Sequence, residues 1–174
     1  MQRAKLFSIA VFTLLAFLCF ITVFLPSKVT ISKSVLVNAN AMAVAMQIND
    51  FKNWKNWYPA FQNKDISADI SQRGDTSFAI LTNEDGKKIS LTLLKSSAEN
   101  INILLSGENG RGKNYQFILI PNGEAKTQIT WNVNVDFGWY PWNKFAGIFL
   151  DKVSGPRYEA ALQNLKVAAE KDLH

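Results

Sequence analysis

One cysteine, Cys19, and one histidine, His174, are all that this 174-residue chain holds of the two side chains most often used as metal ligands and nucleophiles. A lone cysteine excludes a disulfide framework. Together with a lone histidine it excludes a structural zinc site made from the usual nitrogen and sulfur ligands. Cys–His and Ser–His catalysis are removed as well, unless the last residue takes part. Charge is also sparse, at 19% of residues against 48% apolar, a balance far too apolar for intrinsic disorder. The formal charge of +5 by itself hints at an anionic partner. No basic run interleaves with an aromatic stacking platform, however, so nucleic acid is not an expected partner. Internal repeats and low-complexity blocks are missing too, which leaves no support for a linker or a second soluble domain.

The apolar residues are unevenly spread. Leu6 to Leu25, LFSIAVFTLLAFLCFITVFL, is a run of twenty residues without a charge. As a helix it measures about 30 Å, the thickness of a bilayer's hydrocarbon core. Arg3 and Lys5 precede it, and Pro26, Ser27 and Lys28 follow. A cleaved signal peptide is the rival reading, but Val23-Phe24-Leu25-Pro26 offers no small-residue cleavage site. Phe17 and Leu18 are too bulky for a lipoprotein signal at Cys19, which reads as an apolar filler. The expectation is a single-pass membrane protein with its N-terminus in the cytoplasm and the rest extracytoplasmic, periplasmic in a bacterium. The flanking charges favour that orientation only weakly. All 14 acidic residues lie beyond the run, while only two of the 19 basic ones precede it. Two of the five net charges therefore flank the anchor, and a mild excess of three remains beyond it.

Beyond the anchor, strand signals dominate. Val29, Ile31, Val35 and Val37 recur at alternate positions, as do Ile89, Leu91 and Leu93. Ile129, Trp131, Val133, Val135 and Phe137 alternate with Thr130, Asn132, Asn134 and Asp136. Such period-two patterning gives one buried and one wet face, as in an antiparallel sheet. Phe78 to Leu81, Ile101 to Leu105, Tyr115 to Ile120 and a stretch around Ile66 to Ser71 bring the count to six or seven. Asp85-Gly86, Asn109-Gly110 and Asn122-Gly123 mark hairpin turns. Residues 41–60 open with good helix formers, with Met42, Met46 and Phe51, or else Val44 and Ile48, as the apolar stripe. Pro59 ends that region. Near the C-terminus a helix is expected to start at Pro156, its buried face carrying Tyr158, Leu162, Leu165 and Ala169. Strands followed by segregated helices indicate an α+β fold.

Two stretches of this pattern resemble a known superfamily. Ser34 to Phe61 contains an opening strand, Ala39 at the turn, Val44 in a helix, then Asp50, Trp54, Trp57 and Pro59. Thr127 to Lys171 contains a last strand with Trp131 and a closing helix with Tyr158, Leu162, Asn164, Leu165 and Lys166. Both are similar to the START-like or SRPBCC superfamily, in its polyketide cyclase/dehydrase and lipid-transport branch. Leu25-Pro26-Ser27 looks like the junction of its membrane-tethered members. Asn40 and Ala45 depart from the proline and large aromatic common there. The resemblance covers residues 28–171. It implies a helix-grip fold, a curved antiparallel sheet wrapped on a long C-terminal helix, with an apolar ligand in the cavity of many members. It carries no universal catalytic set. The expected layout is an N-terminal flank and anchor over residues 1–27, with the helix at about 6–25, and a START-like domain over 28–174.

Several candidate sites can be weighed. Gly107 to Lys113, GENGRGK, has the spacing of a phosphate-binding loop, but Asn114 replaces the hydroxyl residue and both flanks are strand-like. A glycine-rich hairpin is the better reading. Trp54 and Trp57 line a cavity mouth, touch lipid headgroups or plug the end of the sheet, the last being the favoured reading. Trp139-Tyr140-Pro141-Trp142 suits a lid, a bilayer contact or a buried loop equally well. Asp50, Asp136 and Glu159 have no obvious partners, so no catalytic residue is assigned and an enzyme is the less favoured reading. If a cavity lies between the sheet and the last helix, its walls are Trp57, Phe78, Ile80, Leu91, Leu93, Trp131, Val133, Tyr158 and Leu162. The expected partners are a small hydrophobic molecule or lipid and, through the N-terminal helix, a membrane. No metal or cofactor is called for, and the oligomeric state is open. The expected function is thus a membrane-anchored binder of a lipid or other small hydrophobic ligand. A cyclase- or hydrolase-type enzyme and a tethered interaction module without a cavity are the alternatives.

Overall fold

The structure is a computed structural model and describes residues 2–74, 76–108, 112–138 and 140–171. Trp139, His174 and the Asn109-Gly110-Arg111 centre of the glycine-rich loop lie outside the described residues. Helix α1 (Gln2–Phe24) contains the apolar run from Leu6 to Phe24. Its segment Lys5–Phe24 has a mean hydropathy of 2.6, and only 6% of that segment is buried. A core helix of a soluble protein would be mostly covered, whereas this one presents its side chains outward along nearly its whole length.

Seven strands follow, all paired antiparallel: β1 (Lys28–Val37), β2 (Ile66–Arg73), β3 (Thr76–Asn83), β4 (Lys88–Ser96), β5 (Asn100–Gly107), β6 (Gly112–Pro121) and β7 (Thr127–Asp136). The spatial order is β1-β7-β6-β5-β4-β3-β2. Consecutive strands are joined as hairpins from β2 to β7, and the first strand closes against the last, with Lys28 opposite Asp136 and Val37 opposite Thr127. Gly86 and Gly123 adopt positive φ in the turns after β3 and β6, a conformation that costs glycine nothing. A register shift between Leu93 and Lys95 interrupts the β4–β5 pairing; such irregularities bend a strand.

Between β1 and β2 the chain forms α2 (Ala41–Asn49), a 3₁₀ turn (Phe51–Asn56) and α3 (Pro59–Gln62). Asn40 caps α2 by accepting from the Ala43 amide at 2.8 Å, so this departure from the superfamily's usual proline supplies the cap directly. Val44 and Ile48 form the buried stripe, while Met42 and Met46 are exposed. Asp50 ends α2, and its carboxylate accepts from the Lys52 amide at the next turn. The indoles of Trp54 and Trp57 donate to the carbonyls of Ile48 and Gln47. These are two of the C-terminal carbonyls that a helix leaves without an internal partner.

The last third departs from expectation in two places. The aromatic stretch after β7 leads into a helix: α4 spans Pro141–Ile148, and Tyr140 and Trp142 are exposed, so the buried-loop reading falls for these two residues. The closing helix α5 starts at Leu150, not at Pro156, and runs to Lys171. Proline lacks an amide and normally breaks a helix interior. Here Pro156 lies on the exposed side, where the carbonyl it leaves unpaired reaches water. Tyr158, Leu162, Leu165 and Ala169 are all buried as one face. Glu170 receives the Asn38 amide at 2.8 Å, and Asn164 donates to the Trp57 carbonyl. These bonds fix α5 across β1 and the 3₁₀ turn. The result is the α+β helix-grip architecture preceded by an apolar helix.

Thr127 ties the two ends of this arrangement together. Fully buried, its hydroxyl donates to the Ala39 carbonyl at 2.8 Å. Thr127→Val keeps the shape and orphans that carbonyl, so unfolding in urea is expected to show a loss of about 1–3 kcal/mol. An unchanged midpoint would mean that Ala39 finds another donor.

Candidate aromatic and tyrosine site

Alternation along the central strands decides what points inward. On β7, Ile129, Trp131 and Val133 are buried; on β6, Tyr115, Phe117 and Leu119 are. Lys113 belongs to the same parity class as Tyr115, so a lysine points toward the apolar side. The space between these strands, the 3₁₀ turn and α5 is filled with rings. Phe117 stacks on Trp131 with centroids 4.9 Å apart and an interplanar angle of 22°. Trp57, Tyr115 and Tyr158 meet Trp131 edge-on. Trp54 packs against Trp57 and Tyr58. Edge-to-face and offset-stacked geometries are the favourable ones for aromatic quadrupoles.

Polar tips run through this aromatic cluster. Lys113 Nζ donates to the Tyr158 hydroxyl at 3.2 Å and stands 5.9 Å from that ring's centroid. The Tyr58 and Tyr115 hydroxyls share a hydrogen bond of 3.0 Å. Burial pushes Tyr58 up to about 12, partly opposed by its bond to Tyr115. Tyr115 is held well above the ordinary phenol range, first by burial and then by the neighbouring Tyr58 and Tyr158. The Trp131 indole N–H is fully buried and finds no acceptor among the described residues. A buried unpaired donor costs about 1–3 kcal/mol.

Of the nine candidate wall residues, Trp57, Leu91, Leu93, Trp131, Val133, Tyr158 and Leu162 are buried in the one core. Phe78 and Ile80 are not among them, and Ile80 is 42% exposed. Their placement inward is corrected: Ala79 and Leu81 take the core face. Strand β3 is apolar in both parities, so its own sequence does not fix its orientation. Pairing does, because Ala79 stands opposite the buried Leu91, and directly opposed residues share a face. The space expected to be a cavity between sheet and α5 is occupied by Trp57, Phe117, Trp131 and Tyr158. Three surface grooves of about 420, 410 and 370 Å³ lie elsewhere, and no residue of α5 lines any of them.

The second groove matters most. Ala60, Ile66, Leu81 and Ile89 form its apolar lining, with Lys87, Lys88 and Glu108 also on its wall. In register, Gly107 stands opposite Ile89, while Leu105 stands opposite both Leu91 and Lys113. The groove therefore lies about two residues, roughly 7 Å, outward of the Lys113 row. Lys113, Tyr58 and Tyr115 escaped the sequence reading. A lysine in the apolar parity class of β6 was the available signal.

Buried neutral tyrosines make stability fall at high pH. The unfolded chain ionises near pH 10, whereas Tyr58 holds its proton to about 12. The folded state therefore keeps its full advantage below about pH 10 and loses it as pH rises toward 12. Alkaline titration of tyrosinate absorbance is expected to show fewer groups ionising in the folded chain than in denaturant until it unfolds. Tyr58→Phe should lessen the alkaline loss of stability, and an unchanged alkaline slope would contradict this.

Comparison with known structures shows the same fold. The Zhui aromatase/cyclase from a Streptomyces species is 13% identical, with a TM-score of 0.63 over 84% of this chain and 96% of that one. A protein of unknown function from Staphylococcus aureus is 12% identical, with a TM-score of 0.60 over 84% and 96%. The two-domain aromatase/cyclase StfQ of the steffimycin biosynthetic pathway is 12% identical, with a TM-score of 0.59 over 84% of this chain and 52% of that one. No curated protein matches the sequence significantly. The family model described as polyketide cyclase / dehydrase and lipid transport matches residues 28–170, and the chain belongs to that family, whose fold is a ligand-binding one.

Proposed function

We propose that this protein is a membrane-anchored binder of a lipid or other small hydrophobic molecule carrying an oxygen at one end. The observation behind this reading is the orphan indole N–H of Trp131, fully buried in a ring that packs against the rings of Tyr58, Tyr115 and Tyr158. Small-molecule sites combine apolar and aromatic walls with a few placed polar groups, and this cluster has that composition. A ligand oxygen accepting from Trp131 would relieve the unpaired donor. The ligand body would extend past Lys113 toward the groove lined by Ala60, Ile66 and Leu81. Leu91, Leu93, Val133 and Leu162 would wall the path, and the ring of Trp57 would swing to admit it. Helix α1 would hold the domain at the membrane as a single-pass anchor, with residues 28 onward on the extracytoplasmic side. Fusion of a one-side-active reporter to the C-terminus tests that orientation.

Extraction of the purified chain followed by mass spectrometry is expected to recover a stoichiometric amphiphile. An empty protein whose tryptophan fluorescence responds to no fatty acid, phospholipid or polycyclic aromatic would sink the reading. Trp131→Phe removes the donor and keeps most of the ring volume. It is expected to weaken ligand binding about tenfold, the effect of one lost hydrogen bond, while leaving the urea midpoint level or raised. Equal affinity in both forms would show that Trp131 only packs.

The Lys113–Tyr158 bond favours a second reading, a cyclase-type enzyme. A tyrosine hydroxyl that accepts from lysine is oriented to give its own proton to a bound carbonyl. Following a recovered ligand over time with wild type and Tyr158→Phe separates the two readings: conversion by wild type alone supports the enzyme, and no conversion by either supports the binder.

A further inference from the structure

We infer that α4 is an interfacial helix that lies on the bilayer spanned by α1 and turns the domain's groove toward the lipid headgroups. This rests on the reading of α1 as a membrane span. Three observations carry it. First, only Leu25, Pro26 and Ser27 separate α1 from β1. Three extended residues reach about 10 Å, so the edge of the sheet that begins with Lys28 stays close to the end of the span.

Second, α4 sits at that edge and is fastened to α1. Lys28 pairs with Asp136, the last residue of β7, and α4 follows within a few residues. Lys144 on α4 is buried, and its ammonium donates to the Thr22 carbonyl at 3.0 Å, in the last turn of α1. A cation there also meets the negative end of the helix dipole. One turn along the same face, Gly147 packs so closely on Phe137 and Val29 that a Cβ would meet them at 3.0 and 3.2 Å. With one face held, the opposite side carries Trp142 at 61% exposure and the C-cap residue Phe149 at 60%, and Tyr140 at 66% stands just before the helix. Positions 142 and 149 are seven apart, two turns along the same side of α4 and its cap. Tryptophan and tyrosine are the side chains that settle at the headgroup level, and the occupant that fits is the surface of the bilayer that α1 spans.

Third, the strand register carries the same edge across the sheet. Asp136 and Lys28 lie at the edge where β6 begins, β5 ends at Gly107, β4 begins at Lys88 and β3 ends at Asn83. Asn83, Lys88 and Gly107 line the groove. Docking of α4 therefore brings the groove to the membrane side, where an amphiphile passes from the bilayer into the domain without crossing bulk water.

The test uses the full chain in vesicles of phosphatidylethanolamine and phosphatidylglycerol. In a Cys19→Ser background, Trp142→Cys, Phe149→Cys and Ile120→Cys each take a spin label. Ile120 is exposed and stands opposite Gln128, at the far edge of the sheet. Labels at 142 and 149 are expected to be several-fold less accessible to a water-soluble paramagnet than the label at 120, and more accessible to oxygen. If the chain stays in carbonate-washed vesicles while all three labels are equally wet, the docking inference fails and the anchor stands. If the wash strips the chain from the vesicles, both fail.

Discussion

The pairing of the first strand with the last is the constraint from which the other features follow. Ten residues of β1 run against ten of β7, although they lie about a hundred positions apart in the chain. Closing so long a loop is entropically costly, and the contacts that repay it are at the centre of the molecule. Ile31 and Val37 on β1 share the buried face with Val133 on β7, and Trp131 in the same inward row carries the ring cluster. The register also fixes which end of each strand faces α1, because Lys28 begins β1 only three residues after Leu25-Pro26-Ser27 begins. A slip of one residue would turn Trp131 outward and shift α1 relative to the edge on which α4 sits.

Much of this was legible from residue order alone. The β1 and β7 alternations name their buried faces correctly because only one parity in each is consistently apolar. The α5 stripe is legible for the same reason at period 3.6. Strand β3 is the counterexample: Phe78 and Ile80 compete with Ala79 and Leu81, and the deciding information sits on β4, at Leu91. Pro156 misleads in another way. Its usual place at a helix start is a preference at the chain level, while its tolerance inside α5 depends on solvent reaching the carbonyl left behind, a property of the packed molecule. The α4 helix was masked by its aromatics, whose weak helix propensity is offset here by the Lys144 and Gly147 contacts.

The candidate site was half legible. Trp131 follows from strand parity, Tyr158 and Leu162 from the helical stripe, and Trp57 from the superfamily resemblance. The chain's order does not reveal that Tyr58 and Tyr115, 57 positions apart, share a hydrogen bond. It also does not reveal that the expected hollow is filled by rings. Volume is the quantity that patterning leaves out: alternation tells which side chains point inward, not whether together they fill the space between sheet and helix.

A filled interior still differs from an ordinary dry core. A core selected for packing alone gains by removing hydroxyls and unpaired donors, since each buried polar group must be matched or pays its desolvation. This one retains Lys113, three tyrosine hydroxyls and the indole of Trp131 on one side of α5. The hydroxyls and the ammonium are partnered, while the indole is not. Aromatic side chains turn about two torsions, so admitting a guest exchanges ring–ring contact for ring–ligand contact of similar area, and the net apolar gain is small. On the proposed reading, what would distinguish one guest from another is the oxygen presented to Trp131. The groove's outward position along β4 and β5 would then set the side from which that guest arrives, and the same register that buries Trp131 puts that end of the sheet on the side of α1.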